Sequence, residues 1–311
     1  MTRILVTGGA GFVGCNLVRG LLARGDEVVV LDNFSTGRRE NLAEVLGDIR
    51  LVEGCLTSTD DVANALEGVD GVLHQGALPS VPKSLALPLE TNMANGVGTL
   101  TLLEGCRQAG VKRVVYAASS SAYGDHDAPS KSEELTPRPK SPYAIQKLTG
   151  EYYCWVYHQL FGLETIALRY FNVFGPRQNP ESQYAAVIPA FITRMLNGES
   201  PVVHGDGLQS RDFTYIENVI EANFAALSAP VDACGQTYNA ACGDSATLLD
   251  LVGAINEILG TQIQPTHTAS RAGDVRHSKA AVSRIEAALG FSAGINLRDG
   301  LEKTIDWSFG K

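Results

Sequence analysis

Two side chains suited to proton transfer, Tyr143 and Lys147, stand four residues apart. On a helix this spacing puts the phenol and the ammonium group on one face. A tyrosine with its usual pKa near 10 is a poor base at neutral pH, and lowering that pKa by about 3 units takes roughly 4 kcal/mol. A neighbouring cation supplies part of this stabilisation. The alternative is a half-buried tyrosine beside a lysine stem that covers apolar surface.

A glycine-rich turn follows the first strand-like run of the chain. Gly8, Gly11 and Gly14 stand three residues apart, between that run and a segment with helical periodicity. Glycine permits a tight turn, close approach of the backbone to a pyrophosphate, and close packing of the helix on the strand. The helix then directs its free N–H groups at the phosphates. The context predicts a dinucleotide site, which includes two further turn residues, Phe12 and Val13.

An acidic residue, Asp32, follows Gly14 by 18 residues at the end of the second strand-like run. There a carboxylate can accept hydrogen bonds from an adenosine ribose and repel a 2′-phosphate. The sequence therefore favours NAD over NADP. The alternative is a tight turn beside a solvated aspartate, which leaves the coincidence of spacing, strand context and acid unexplained.

The elements that must position these groups are indicated by an alternation of short apolar runs and helical segments. Continuous apolar strands buried on both faces imply a parallel sheet covered by helices. The pattern predicts a doubly wound α/β fold with a parallel Rossmann sheet. The predicted strands lie at 4–6, 28–31, 49–52, 71–74, 113–116 and 164–168, and the predicted helices at 12–24, 40–47, 91–109 and 143–161.

The alternation loosens after about residue 172, where prolines punctuate the chain and helix-like pieces at 185–197 and 247–259 are separated by loops. We predict a second, smaller, mixed α/β substrate-binding lobe over 172–311. The cofactor domain would span 1–171. Two segments, near 213–220 and 237–240, are expected to return to it.

Composition excludes several classes of protein. The 25 basic and 34 acidic residues give a formal charge of −9, so the chain lacks the footprint of a nucleic-acid-binding protein. Its 44% hydrophobic content argues against disorder, and no apolar run approaches the roughly 18 residues of a membrane helix. With no signal-peptide pattern, we expect a cytoplasmic protein. The six widely spaced cysteines are interpreted as reduced core residues, and no metal site is predicted.

The Gly-x-x-Gly-x-x-Gly spacing and the Tyr-x-x-x-Lys pair resemble the extended short-chain dehydrogenase/reductase family. Four loop sequences, at 78–84, 169–177, 205–213 and 271–275, are most similar to those of nucleotide-sugar 4-epimerases that act on UDP-hexoses and UDP-N-acetylhexosamines. The resemblance covers nearly the whole chain. It implies a homodimer, a UDP-sugar substrate, and an NAD cofactor that each turnover regenerates.

The resemblance also implies cofactor contacts beyond the glycine turn. This chain departs from the family at Cys55, where an aspartate usually stands beside the adenine. His74 is interpreted as a packed structural histidine rather than a proton shuttle. The implied contacts are Asn33, Ser35, Thr36 and Gly37 near the adenosine, Leu56 at the adenine, Gln75, Gly76 and Ala77 along the nicotinamide ribose, Asn92 on the following helix, and Tyr143 with Lys147.

A catalytic hydroxyl is implied four residues before the tyrosine of the Tyr-Gly pair, which selects Ser119. Ser121 would contact the substrate, and which of the two serines is the main hydroxyl donor stays open. In the implied mechanism Tyr143, as a phenolate, takes the proton of the sugar 4-OH while NAD takes the C4 hydride. The 4-keto sugar then turns, and the hydride returns to its other face.

The resemblance implies the substrate contacts as well. Arginine forks suit a dianionic diphosphate in an acidic protein. Ser278 stands where a tyrosine accompanies restriction to plain hexoses, so we expect interconversion of UDP-GlcNAc and UDP-GalNAc, alongside UDP-Glc and UDP-Gal. The implied contacts are Asn172, Arg211 and Arg271 at the diphosphate, Asp274 at the uridine ribose, Val187 and His204 at the uracil, and Ser80, Ser121, Tyr143 and Ser278 at the sugar.

Two alternatives stay open. A UDP-glucuronate 4-epimerase shares the catalytic machinery, although such relatives tend to have threonine where this chain has Asn172. A non-catalytic NAD-binding regulator is disfavoured because such proteins commonly lose the Tyr or Lys that are present here. A dehydratase is disfavoured because Ser119 is followed by Ser120 and Ser121 rather than Asp-Glu.

Overall fold

The computed structural model describes residues 2–179, 187–269 and 276–310. The strands pair through regular backbone hydrogen bonds in one large and three small sheets. In chain order they are β1 (Arg3–Thr7), β2 (Glu27–Asp32), β3 (Ile49–Glu53), β4 (Gly71–His74), β5 (Arg113–Ser119), β6 (Glu164–Tyr170), β7 (Val173–Phe174), β8 (Val202–His204), β9 (Ser210–Arg211), β10 (Thr214–Tyr215), β11 (Gln236–Ala240), β12 (Ala246–Thr247), β13 (Thr266–Thr268) and β14 (His277–Ser278).

The helices cover both faces of the large sheet and build most of the remaining chain. They are α1 (Phe12–Ala23), α2 (Thr59–Ala65), α3 (Val81–Ala86), α4 (Pro88–Asn92), α5 (Gly98–Ala109), α6 (Pro142–Phe161), α7 (Val187–Leu196), α8 (Ile216–Ser228), α9 (Leu248–Leu259), α10 (Ser283–Leu289) and α11 (Leu297–Ser308). One π-helical turn, Met93–Val97, separates α4 from α5.

The large sheet has seven parallel strands in the order β11-β6-β5-β4-β1-β2-β3. Successive residues of a strand enter different cores. On β1, Ile4 and Val6 belong to one buried cluster, whereas Leu5 belongs to the cluster on the opposite face. This two-residue alternation requires apolar side chains at consecutive positions, since both faces are covered. The predicted doubly wound parallel sheet is confirmed.

The helix that carries Tyr143 has well-defined ends. Ser141 caps its N-terminus by accepting a hydrogen bond from the Ala144 N–H at 3.2 Å, and Pro142 occupies the first turn. Gly162, at φ +70°, ends it in the left-handed conformation. These signals fix the helix within one residue of the predicted segment 143–161.

Two predicted helices take a different form. Segment 40–47 contains two short 3₁₀ helices, Arg39–Asn41 and Ala43–Asp48, instead of an α-helix. The side chain of Asn41 donates to the Ala10 carbonyl at 2.8 Å, which ties this segment to the glycine turn. Segment 91–109 is interrupted by the π-turn, so its two ends do not share one helical phase.

Beyond residue 172 the chain builds three small sheets, β10-β7, β12-β9-β14 and β13-β8, around a separate apolar core. Part of this stretch joins the large sheet: β11 pairs with β6 at its edge, and Ala222 and Ala226 of α8 pack into a core of that sheet. Within the region near 213–220, β10 pairs with β7, and it is the following helix α8 that contacts the large sheet.

Candidate active site

A cavity of about 530 Å³ opens at the carboxyl ends of the parallel strands. This edge is where doubly wound sheets bind ligands, because the strand order reverses there. Among the residues expected at the cofactor, its wall contains Gly8, Gly11, Phe12, Val13, Gly14, Asp32, Asn33, Ser35, Thr36, Gly37, Leu56, Gln75, Gly76, Ala77, Tyr143 and Lys147.

The glycine turn leaves no room for side chains. A Cβ on Gly8 would lie 2.8 Å from backbone atoms of Gly76, and one on Gly14 would lie 2.1 Å from the Gly8 carbonyl oxygen. Gly11 precedes α1 without a side-chain cap, so the first N–H groups of the helix have no side-chain acceptor there. The turn thus presents bare backbone donors and a positive helix end, which suit a pyrophosphate.

Asp32 is buried and firmly oriented. Its Oδ2 accepts a hydrogen bond from the Ala10 N–H and its Oδ1 from the Phe34 N–H, each at 2.8 Å. Burial raises the pKa of the carboxyl, and the two N–H donors oppose the rise. Each oxygen keeps a lone pair for a further donor, such as a ribose hydroxyl.

The loop after β3 is held by an acid that the sequence analysis did not single out. Asp61 accepts a hydrogen bond from the Cys55 N–H at 2.8 Å. The Cys55 thiol lies 3.1 Å from the Thr57 hydroxyl and 3.8 Å from Asn33 Nδ2. Cys55, Thr57 and Leu56 all line the cavity.

Tyr143 and Lys147 both face the cavity from the first turns of α6. Lys147 Nζ donates to the Ala117 carbonyl at 2.8 Å and lies 4.9 Å from the centre of the Tyr116 ring. Burial lowers the pKa of Lys147 to about 8, so the cation persists at neutral pH. Burial raises the pKa of Tyr143, and a hydrogen bond with Ser119 opposes the rise.

Ser119 and Ser121 form a pair at the end of β5. The Ser121 hydroxyl donates to the Ser119 oxygen at 2.8 Å, and the Ser121 N–H donates to the same oxygen at 3.2 Å. Neither serine lines the cavity itself. Ser119 is hydrogen-bonded to Tyr143, which does line it. Of the two hydroxyls, Ser119 is thus the one that contacts the phenol, with Ser121 behind it.

His74 is buried between two threonines. Its Nδ1 lies 2.7 Å from the Thr7 hydroxyl and its Nε2 3.0 Å from the Thr99 hydroxyl. Burial, with the charge of Lys147 as a smaller cause, lowers the pKa of the imidazole to about 3. The ring is therefore neutral at physiological pH, which suits a structural role.

Asn92, expected near the cofactor, is exposed and does not line the cavity. The buried asparagine of this region is Asn95 in the π-turn, whose side chain contacts Leu78 and Gln146. The sequence offers both asparagines three residues apart, and only the π-turn decides which one faces inward.

The residues expected at the substrate fall into two groups: Ser80 and Asn172, described first, and a set in the smaller lobe. Ser80 lines the cavity and caps α3 by accepting from the Lys83 N–H at 3.0 Å. Asn172, at φ +31°, donates from Nδ2 to the Asp212 carbonyl at 2.9 Å.

The other described members of the substrate set belong to the smaller lobe. Arg211 and Ser278 are register partners on β9 and β14. His204 Nδ1 lies 2.8 Å from the Thr268 hydroxyl, and Val187 begins α7. Arg271 and Asp274 lie outside the described residues.

Asp212, next to Arg211, organises this part of the lobe. Its buried carboxylate accepts hydrogen bonds from the backbone N–H groups of Cys242, Gly243 and Ala280 at 3.1, 3.0 and 3.2 Å. Burial raises its pKa to about 6 against the effect of these three donors. One side chain thus ties the strand of Arg211 to two further loops.

Several wall residues were missed by the sequence analysis. Arg177 carries a positive φ of +70°, an unusual conformation for a residue with a side chain. It belongs to the loop sequence 169–177, from which only Asn172 had been selected. The missed residues include Arg38, Asn41, Lys83, Tyr170, Arg177, Gln178 and Asn179.

Across 2–179, 187–269 and 276–310, no helix is both long and apolar enough to cross a bilayer.

The fold and the cavity define a Rossmann enzyme with a dinucleotide site at the sheet edge. A model of the NAD dependent epimerase/dehydratase family matches residues 4–241, and the chain belongs to that family. Its cofactor is NAD. The residues present fit this cofactor, because the glycine cradle excludes side chains and Asp32 offers a fixed carboxylate to a ribose.

Similar proteins match nearly the whole length of the chain. It is 36% identical to the UDP-glucose 4-epimerase of Mycolicibacterium smegmatis, over 98% of each sequence. It superposes with a TM-score of 0.94 on the UDP-N-acetylglucosamine 4-epimerase from Methanobrevibacter ruminantium in complex with UDP-N-acetylmuramic acid, at 37% identity over 99% of this chain and 98% of that one. The TM-score is 0.91 for the UDP-glucuronic acid 4-epimerase from Bacillus cereus in complex with UDP-glucuronic acid and NAD, at 32% identity over 99% of each chain.

Replacing Gly14 by alanine tests the cradle. Because the new Cβ would stand 2.1 Å from the Gly8 carbonyl oxygen, the turn must shift, and we expect NAD affinity to fall at least about tenfold, or about 1.4 kcal/mol. NAD bound to the purified protein, measured by titration or after acid release, reports the change. Gly253→Ala on α9 is the control, since nothing lies within 4 Å of its Cβ position. Equal NAD binding by both variants contradicts the assignment.

Proposed function

We propose that this enzyme 4-epimerises UDP-sugars, interconverting UDP-GlcNAc with UDP-GalNAc and also UDP-Glc with UDP-Gal. The observation that carries the proposal is the hydrogen-bonded pair of Tyr143 and Ser119, with the Lys147 cation, at the cavity that contains the dinucleotide turn. The full-length similarity to three UDP-sugar 4-epimerases supports the same reaction.

In this reaction Tyr143 is the base and then the acid. Its phenolate takes the proton of the sugar 4-OH, and Ser119 donates a hydrogen bond to the same oxygen. NAD, when bound, supplies reversible hydride acceptance at C4. After the keto sugar has turned to present the opposite face of C4 to the returning hydride, Tyr143 gives the proton back to the same C4 oxygen.

Lys147 stabilises the phenolate form of Tyr143. Burial alone raises the pKa of Tyr143, so a positive charge nearby is needed to oppose it. Lys147, with a pKa of about 8, keeps its charge at neutral pH. Its bond to the Ala117 carbonyl holds the ammonium group on the β5 side of α6.

The smaller lobe would hold the nucleotide part of the substrate. We assign the diphosphate to Asn172, Arg211 and Arg271, the uridine ribose to Asp274, and the uracil to Val187 and His204. Support comes from Asn172 and Arg211 flanking Asp212, because the Asn172 side chain bonds to the Asp212 backbone. Ser80, which lines the cavity, would contact the sugar, whereas Ser121, which was also expected there, would act through Ser119.

A UDP-glucuronate 4-epimerase is the second candidate. The Bacillus cereus neighbour was solved with UDP-glucuronic acid, and its fold covers 99% of this chain. Asn172 favours the neutral sugars, because the uronate relatives tend to have threonine there. The two candidates differ in the sugar alone and share the base.

We also propose a cytoplasmic location. All six cysteines are unpaired, which suits a reducing compartment.

Tyr143→Phe removes one hydroxyl and should keep the fold and bound NAD. We expect kcat for epimerisation to fall by about 10³-fold or more, within the range of lost acid–base catalysis. Ser119→Ala should lose roughly 10²-fold, like the loss of one transition-state donor, and Ser121→Ala less, because that hydroxyl acts on Ser119. Tyr153→Phe on the same helix is the control. A Tyr143→Phe enzyme with near-normal kcat would refute the base, and a larger loss in Ser121→Ala than in Ser119→Ala would reverse their roles.

Ser278→Tyr tests the sugar pocket. A phenol at this position should fill the space of the 2-N-acetyl group, so we expect kcat/KM to fall selectively for UDP-GlcNAc and UDP-GalNAc. The comparison uses both acetylated and plain pairs, with UDP-glucuronate as a further substrate. Ser278→Ala is the control and should leave kcat/KM for both the acetylated and the plain pairs unchanged. An unaltered ratio between the pairs shows that this residue does not select the sugar.

We propose that the enzyme is a homodimer. The outer face of α6 exposes Ile145, Tyr152 and Trp155, each more than half exposed. The neighbouring segment 81–93 adds exposed apolar side chains, and such patches mark interaction surfaces. The additional residues are Val81, Leu85, Leu87, Leu89 and Met93.

Light scattering at micromolar concentration should give twice the 33.1 kDa chain mass. Trp155→Glu puts a charge into this face and should shift the equilibrium towards monomer. Leu46→Glu is the matched control, because Leu46 is similarly exposed outside the face. A wild-type chain that is monomeric under these conditions excludes the dimer.

A further inference from the structure

Gln146 stands between Tyr143 and Lys147 on α6 and is 4% exposed. Its Oε1 accepts a hydrogen bond from Asn95 Nδ2 at 2.8 Å. Its Nε2 donates to the Thr91 hydroxyl at 3.1 Å and to the Pro88 carbonyl at 3.4 Å. These partners lie on α4 and in the π-turn. Gln146 does not line the cavity, so its amide acts between elements rather than on a ligand.

Asn95 connects this amide to the cavity wall. Its Oδ1 accepts from the Leu78 N–H at 2.7 Å, and its Nδ2 also donates to the Leu78 carbonyl at 3.3 Å. The Asn95 side chain thereby pairs with both backbone polar groups of Leu78, as the backbone of a neighbouring strand would. Leu78 lies in the wall segment 75–80, between Ala77 and Ser80. A movement of α6 relative to the π-turn would therefore displace this wall segment as well.

The connection continues to the glycine turn. The Thr99 hydroxyl donates to the Asn95 carbonyl at 2.6 Å, so the facing His74 Nε2 must be a donor. His74 Nδ1 is then an acceptor, because the ring is neutral. The Thr7 hydroxyl donates to it and accepts in turn from the Gly76 N–H at 3.1 Å. Each hydrogen bond along this line has a defined direction.

We propose that Gln146 is a positioning residue that sets the distance and orientation between the Tyr143–Lys147 pair and the wall at 75–80. That wall is where the resemblance puts the nicotinamide ribose and the sugar. An amide is needed, because it accepts from Asn95 and donates to Thr91 at the same time. The inference rests on the proposed roles of Tyr143 and Lys147.

Gln146→Met, which keeps the length of the side chain, tests the proposal in the full-length enzyme with bound NAD. A small misplacement of reacting groups costs up to about 100-fold in rate, so we expect kcat for UDP-GlcNAc to fall about 10- to 100-fold. KM should stay within about twofold, since the contacts proposed for the nucleotide part of the substrate lie in the smaller lobe and are untouched. The acid limb of the kcat–pH profile should move to higher pH, because Lys147 then opposes the burial of the phenolate less well.

Three further variants separate positioning from stability. Asn95→Leu combined with Gln146→Met should lose no more kcat than the worse single variant, because the two amides act as one unit. Gln146→Glu keeps an acceptor for Asn95 and should recover part of kcat. If the Met variant does not fold, the kcat and pH profile of Gln146→Glu are used to test the proposal instead. Asn256→Leu on α9 is the matched control: this amide also bonds to three groups, at Ile263 and Thr261, but away from the cavity wall.

The expected control result is a lower Tm with unchanged kcat and pH profile. If Gln146→Met behaves in the same way, or if its loss adds to that of Asn95→Leu, or if Gln146→Glu recovers nothing, the positioning role is refuted. If Tyr143→Phe also remains active, the proposed base fails. If Tyr143→Phe is inactive while Gln146→Met keeps full kcat, only the positioning inference fails.

Discussion

The contact of backbone with backbone at Gly8, Gly14 and Gly76 determines the shape of the site. Two strand ends and the start of α1 come so close there that a single Cβ would overlap main-chain atoms. Backbone cannot yield as a flexible side chain does. The position of α1 on the sheet, the direction of its free N–H groups and the floor of the cavity therefore follow from the same close approach.

The helix α6 is held against this floor by polar contacts of three kinds. Lys147 bonds to the β5 backbone, and Glu151 forms a buried ion pair with Arg169 of β6 at 2.7 Å. Gln146 bonds to the π-turn. Buried polar groups are costly without partners, so each contact penalises alternative positions of the helix. Apolar packing alone would tolerate small shifts along the helix axis.

Much of this arrangement could be predicted from the sequence. The sheet follows from apolar runs buried on both faces, and the glycine turn with Asp32 from their spacing, whereas the other cofactor contacts were implied by the family resemblance. The phase of the segment 91–109 could not be predicted, because a π-turn adds a residue that hydrophobic periodicity does not report. The resemblance led to Asn92, which is exposed, and the buried asparagine of the π-turn, Asn95, was missed. Arg177 was missed for a related reason, since its positive φ depends on loop packing rather than on residue type.

The seventh strand of the sheet has a consequence for the order of events during synthesis. β11 completes the edge beside β6, yet residues 171–235 separate the two strands. As the chain leaves the ribosome, one edge of β6 has unpaired backbone groups while most of the smaller lobe is still being synthesised. Pairing over such a sequence distance is slow, and exposed strand edges attract other chains. The edge of β6 therefore stays unpaired in the nascent protein until β11 has been made.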